Sequence, residues 1–314
     1  MPEQIDANVA PRAGVEDHPF TTATQFLAQL APTSEQWSSS QGWIFRGQAD
    51  AGWKLQATAV REPDPFPSFG VAPHVGAEES AWSRRKVKQE DLLEIFRRGL
   101  DAAGTVVPAA SPRVLLSVDH SSNATPLREA FPLMALAQHH GLPTMLLDWS
   151  KRARFAAYFA AAEVAQNELP DARHPRRDLG SHLAVWALRG VINVSMVPRP
   201  RPDQGNDIDE LEVYQAPGGT NPNMRAQAGV FTCLVSTIDT TIEEHAARWH
   251  DNRRVPPWPP LLKRLTLPHA EARKLLRLLA LEGVDGAAMF PGADGVARAM
   301  HERSLWDQPD ERIM

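Results

Sequence analysis

At 314 residues, 43% hydrophobic and 23% charged, the chain has an ordinary globular balance and enough length to bury a large core, as one elaborated domain or two small ones. A formal net charge of −5 argues against a general binder of nucleic-acid backbones, whose affinity rests on Lys and Arg. The single cysteine, Cys233, leaves no intramolecular disulfide, and its apolar neighbours from Val230 to Val235 mark it as a core residue, not a nucleophile.

Residues 1–19 are polar, aperiodic and read as a flexible tail, with the folded unit expected over 20–314. No basic start precedes an apolar stretch, and no run of about 18 apolar residues follows, so we expect a cytoplasmic chain without a membrane segment. A short helix is predicted from about Thr22, with Phe26, Leu27 and Leu30 on one face. Trp43-Ile44-Phe45 reads as a strand ending at Arg46-Gly47, and the alternation of Trp53, Leu55 and Ala57 predicts a second strand. The prolines, 27 in all, exceed the usual share of about 5% and cluster at 61–75, 197–202 and 255–260, which implies long ordered loops.

Loop insertions are placed near 62–78, 101–124 and 165–180. Helical spacing predicts helices over Glu79–Leu100 and Leu127–His140, the second stopping at Gly141. Met145-Leu146-Leu147 reads as a short buried strand, followed by an alanine-rich helix over Arg152–Val164. Strands are expected at Leu183–Leu188, Leu211–Tyr214, Gly229–Val235 and Leu261–Leu267, and closing helices near Glu271–Leu281 and Val296–Leu305. About six short strands mixed irregularly with helices imply an α+β fold with a mixed or antiparallel central sheet. Two basic runs, Arg84-Arg85-Lys86 with Lys88 and Lys151-Arg152 with Arg154, read as solvated helix faces.

No glycine-rich dinucleotide loop, phosphate loop, His-Glu-x-x-His helix or Gly-x-Ser-x-Gly elbow occurs. His139 and His140 are adjacent and point to different faces of a helix, so no metal site is expected. Three segments carry chemistry instead. In Phe45-Arg46-Gly47-Gln48, an arginine at a strand end presents a fork suited to phosphate or carboxylate, and Gly47 admits close approach to the backbone; a structural ion pair is the other reading of Arg46. In Gln138-His139-His140-Gly141-Leu142-Pro143-Thr144, a helix ends in polar side chains and turns. The apolar strand that follows delivers Asp148, Trp149 and Ser150 to its end. Ser150 or Asp148 is either a site residue or the cap of the next helix, and Trp149 either a site residue or core. In the stretch Asn223–Phe231, Arg225 and Gln227 would share one face of a strand, as a second cation beside an amide or as a cross-strand polar pair.

Together, Ile44-Phe45-Arg46-Gly47-Gln48, Ala137–Thr144 and Leu146–Ser150 resemble the FRG domain family, named for its Phe-Arg-Gly. The likeness continues through Ala157–Ala160, Arg225–Phe231, Gly283-Val284, Phe290-Pro291 and Asp294-Gly295, roughly residues 20–300. The chain departs from the family pattern at Met145, where Arg is usual, and at Lys151-Arg152-Ala153. More distantly, an Arg-Gly ending an early strand and a hydroxyl ending a later one resemble ADP-ribosyltransferases of the Arg-Ser-Glu type. That resemblance implies NAD as substrate and an ADP-ribosyltransferase or NAD glycohydrolase activity, with a macromolecular acceptor of ADP-ribose and a toxin or phage-defence role as corollaries. Catalytic parts are expected of Arg46, His140, Asp148, Ser150 and Gln227, with Asp148 preferred as carboxylate over Glu212. Gly47, Gln48, Gln138, His139, Thr144, Trp149 and Arg225 would bind the ligand. The alternatives are a nucleotide- or nucleic-acid-binding module without catalysis, and a hydrolase pairing His140 with Asp148. Sequence leaves the oligomeric state open.

Overall fold

A computed structural model describes residues 14–37, 42–72, 81–108, 125–168, 175–189, 209–215, 222–236, 240–251 and 261–306. Among them the strands are β1 (Val15–Pro19), β2 (Trp43–Gln48), β3 (Leu146–Ser150), β4 (His182–Arg189), β5 (Asp209–Tyr214), β6 (Gly229–Ser236) and β7 (Leu262–Pro268). They form one seven-stranded mixed sheet in the order β1-β7-β4-β2-β3-β6-β5, which bears out the α+β reading. All pairings are antiparallel except β1 on β7. The helices are α1 (Ala23–Gln29), α2 (Ala81–Ala102), α3 (Thr125–His139), α4 (Ala153–Glu168), α5 (Pro222–Ala226), α6 (Ile242–Asp251), α7 (Ala272–Leu281), α8 (Gly286–Met289) and α9 (Ala293–Trp306).

Strand alternation sorts the core into three clusters. Trp43 and Phe45 of β2 point to one face, where α1, α4 and α7 cover β4 and β7 with Phe26, Ala157, Leu183 and Leu275. Ile44 points to the opposite face, with Leu147 and Trp149 of β3, Trp186 of β4 and Ile242 of α6. On the β3–β6 side, Leu146 and Cys233 pack against Leu92 and Leu93 of α2 and Phe131 and Met134 of α3. The Cys233 thiol is pushed up to about 12 by burial, consistent with a core residue.

Alanines let α4 lie close to the sheet. Ala156, Ala157, Ala160 and Ala161 are buried, and a Cβ at Gly47 would sit 1.9 Å from the Ala156 carbonyl oxygen. Just before this helix Ser150 Oγ accepts from the Arg152 amide at 3.0 Å, closing the turn that leads into Ala153. The middle of α4 is tied to the C-terminal helices through Glu302, which accepts from Tyr158 Oη at 2.6 Å and from the Gly286 amide at 3.0 Å.

Several expectations need correction. Residues 15–19 are a strand, not part of a tail: the wholly buried Arg264 of β7 pairs with Asp17 at 2.6 Å, so a charged edge strand is held by an ion pair that no alternation reveals. Residues 53–57 are turn and coil leading into a 3-10 turn at Thr58–Val60, not a strand. Asp148, Trp149 and Ser150 lie within β3, not beyond it. Arg225 belongs to the short helix α5 and Gln227 to the turn after it, so the two do not share a strand face. The alanine-rich helix continues to Glu168, into the stretch read as a loop from 165. Residues 1–13, 73–80, 109–124 and 169–174, which carry parts of the expected tail and loops, lie outside the described residues.

Candidate functional site

β2 is fully laddered to β4 over Trp43–Gln48, yet it meets β3 at a single register position, Phe45 opposite Ser150. Beyond that pair the two strands part. The helices that cover them part as well, because α4 lies over β2 and α3 over β3. A cavity of ≈ 450 Å³ occupies the seam, within the range of about 300–1,000 Å³ usual for small ligands. Gln138 and His139 of α3, Phe159 and Glu163 of α4, Arg46 and Asp148 face it.

Arg46 is the residue that bridges the parted strands. Its Nη1 donates to the Asp148 carbonyl oxygen at 2.9 Å and lies 3.8 Å from the Asp148 carboxylate. Its side chain is only 16% exposed, and Nε is buried with no hydrogen-bond partner among the described residues. The Asp148 side chain is 59% exposed, but what it is exposed to is the concave cavity. Gln138 Nε2 donates to Asp148 Oδ1 at 2.6 Å, and Thr144 Oγ1 in turn donates to Gln138 Oε1. Thus a relay from a buried threonine orients the carboxylate. Desolvation raises the Asp148 pKa, opposed by the nearby Arg46 guanidinium and the Gln138 hydrogen bond. Desolvation likewise lowers that of Arg46, opposed chiefly by Asp148.

Two charged groups at this site were not anticipated from the sequence. Glu163 lines the cavity and pairs with Arg177 at 2.6 Å; burial raises its pKa against the pull of Arg177, Arg46 and Arg61. Arg61 stands within electrostatic reach of both Asp148 and Glu163 and donates from Nε to the Gln56 carbonyl at 3.0 Å. Glu163 was legible in principle: Phe155, Phe159 and Glu163 recur every four residues and so share a helix face. Arg61 sits among prolines, where no periodicity reports its direction.

The remaining expected site residues divide into those that line the cavity and those that hold it up. Ser150 is buried and spends its hydroxyl on structure, donating to the Gln227 carbonyl at 2.8 Å and accepting from the Arg152 amide at 3.0 Å. Gln227 lines the cavity, but its Nε2 donates to the Met289 carbonyl at 3.1 Å. Trp149 is among the lining residues, while its buried indole packs in the core on the Ile44 face and donates to Thr232 Oγ1 at 2.8 Å. Gln48 is also buried, accepting from Trp186 Nε1 at 2.8 Å, and Gly47 serves the approach of α4. His140 is exposed and not part of the lining; its ring packs near Phe96 and His139. Arg225 lies on a separate cavity, so the second cation beside Arg46 is Arg61. Glu212 is buried between β5 and β6, opposite Cys233.

Among the described residues no group of three or more His, Cys, Asp or Glu side chains is placed to hold a metal ion, and no helix is long and apolar enough to cross a membrane. No curated protein and no solved structure matches the chain. The model of one family does match, over residues 41–168, a stretch that contains β2, β3 and α4 and therefore the seam with Arg46, Asp148 and Glu163. The matching model is that of the FRG domain, so residues 41–168 are similar to that family.

Proposed function

We propose that the seam cavity cleaves the nicotinamide–ribose bond of NAD and passes ADP-ribose to water or to an acceptor group. The observation that carries this reading is a single cavity in which a pinned arginine fork stands beside two carboxylates, Asp148 and Glu163. The reaction breaks the bond from the ribose anomeric carbon to the ring nitrogen, and the electron pair leaves with nicotinamide. The anomeric carbon then takes a bond from the incoming oxygen, whose proton goes to a carboxylate or to solvent. Charge at that carbon turns positive on the way, as in glycoside hydrolysis, and a partly desolvated carboxylate stabilises it more strongly than one in water.

Each group has a part in this reading. The Arg46 guanidinium, with Nε still free to donate, grips a phosphate oxygen. Phe159 and Phe290, edge to face at 6.1 Å, offer an aromatic wall to the nicotinamide ring. Asp148, aimed by Gln138, stabilises the developing cation, and Glu163 takes the proton of the incoming nucleophile. Because Asp148 must be ionised and burial raises its pKa, turnover should climb with pH above the ordinary carboxylate range.

The test is nicotinamide release from NAD, measured with melting temperature on the wild type and on Asp148→Asn. The variant should fold and bind NAD while turnover falls about a hundred- to a thousand-fold, the 2.7–4 kcal/mol typical of removing one electrostatic stabiliser. Unchanged turnover removes Asp148 from the chemistry. A wild type that binds NAD and releases no nicotinamide makes the chain a nucleotide-binding module.

A further inference from the structure

On the other side of Phe45 lies a second cavity, of ≈ 790 Å³, that the proposed NAD chemistry does not use. Its lining has two chemical halves. One is aromatic: Trp37 packs edge to face on Trp43 at 5.3 Å and on Phe45 at 5.0 Å, with Phe155 also in the lining. The other is cationic: Lys151, Arg152, Arg154 and Arg225 stand against one carboxylate, Glu282. Glu282 is taken by Arg154 at 2.7 Å, and Lys151 Nζ is held by Gln215 Oε1 at 2.6 Å. Arg152 and Arg225 are exposed, and neither forms an ion pair among the described residues. The residues Arg152, Ala153 and Arg154 also open α4, so its positive N-terminal end adds to the same field.

A basic helix start alone would not define a site. The independent observation is that two donors in this lining are buried without a hydrogen-bond partner: Nε1 of Trp43, a residue only 7% exposed, and Nε of Arg154. Buried donors are almost always satisfied, so an indole N–H and a guanidinium N–H left unpartnered in one lining call for an acceptor supplied from outside. An acceptor-rich ring that stacks on aromatic walls, joined to an anion that meets arginine forks, is a nucleotide.

We propose that this second cavity binds a nucleoside 5′-monophosphate unit, with its base against the Trp37–Trp43–Phe155 wall and its phosphate at Arg152, Arg225 and the start of α4. The unit is either a free nucleotide or the 5′ end of a nucleic-acid strand. This assignment is independent of NAD cleavage in the seam, because it is read by binding and by different residues.

Titration calorimetry with AMP, adenosine, inorganic phosphate and a short 5′-phosphorylated oligonucleotide tests it on the wild type, on Arg46→Lys and on the double variant Arg152→Glu, Arg225→Glu. Both reversed positions are exposed, so the double variant should melt with the wild type. The wild type and Arg46→Lys should bind AMP more tightly than adenosine or phosphate, and the double variant should lose that affinity at least tenfold. AMP without measurable binding to the oligonucleotide identifies a free nucleotide, whereas tighter binding of the phosphorylated oligonucleotide identifies a strand end. Three results overturn the proposal: no AMP binding to wild type, a loss confined to Arg46→Lys, or phosphate binding as tightly as AMP.

Discussion

The two flanks of β2 differ in what the sheet does with them. Towards β4 the strand forms a full ladder, Trp43 to Gln48 against Arg189 to Ala184, and its backbone groups are paired along the whole length. Towards β3 it pairs once, and the gap is spanned by a side chain, with Arg46 donating to the Asp148 carbonyl that a neighbouring strand would otherwise engage. A closed ladder yields core, whereas an opened one yields polar groups held rigidly at a cavity wall. A site built on strands is more precisely positioned than one built on loops, and the opening also separates α3 from α4 above it. The comparison teaches that the Phe-Arg-Gly element works by position: Phe45 closes the last pair, Arg46 spans the gap and Gly47 admits the helix.

The sharpest way to break this comparison is at Gly47. A methyl group there meets the Ala156 carbonyl oxygen at 1.9 Å and the Ala160 amide nitrogen at 2.9 Å, both backbone atoms in the middle of α4. Neither can swing aside, so Gly47→Ala must push the helix off the sheet. We expect a loss of about 3 kcal/mol, at the upper end for overpacking, visible as a lower urea midpoint. The seam should open with it, so NAD affinity should fall in the same variant. A Gly47→Ala protein as stable as wild type would mean that α4 does not rest on β2 as described.

A smaller change sharpens the same contrast from the open side. Arg46→Lys keeps the charge but replaces a fork by a point ammonium, which cannot hold the Asp148 carbonyl and a phosphate together. NAD affinity should fall about tenfold to a hundredfold, the scale of one charge-assisted hydrogen bond at about 1.5–3 kcal/mol. Melting temperature should move much less than in Gly47→Ala. Full NAD affinity in the lysine variant would reduce Arg46 to a local charge and remove the phosphate grip.

What the sequence made legible follows from which signals are local. Helical spacing gave α2, α3, α7 and α9 nearly at their bounds, because one apolar face per turn is a local property. Apolar runs likewise placed β4, β6 and β7. The edge strand β1 escaped because its partner, Arg264, lies more than two hundred residues away, and the pair that holds it is ionic. The convergence of Arg46 with Asp148 and Gln138 was expected from motifs and is what the fold displays. Their partners Arg61 and Glu163 were not, since a proline-rich turn and an alanine-rich helix look alike from outside whether or not they face a cavity. Trp149 and Ser150 line the same cavity, yet their polar groups hydrogen-bond to Thr232 and to the Gln227 carbonyl, partners that a motif does not reveal.

The smallest expected effect concerns Ser150, where the family-based reading and the fold make different claims. A hydroxyl at the end of an apolar strand can order a ligand or start a helix, and sequence alone permits both. In the fold, Ser150 Oγ accepts from the Arg152 amide at 3.0 Å and donates to the Gln227 carbonyl at 2.8 Å, which uses its proton and one lone pair on the protein itself. Ser150→Ala should therefore cost about 1 kcal/mol, the usual net worth of a lost hydrogen bond, and lower the melting temperature by a few degrees. Nicotinamide release should stay within about twofold of wild type once measured well below that temperature, because 0.4 kcal/mol of barrier is about a factor of two. The converse pattern, an unchanged melting temperature with turnover down a hundredfold, would require the hydroxyl to leave Gln227 and act on the ligand. Ser150 would then belong with Arg46 and Asp148 on the open flank of β2, and the single register pair at Phe45 would be part of the chemistry as well as its boundary.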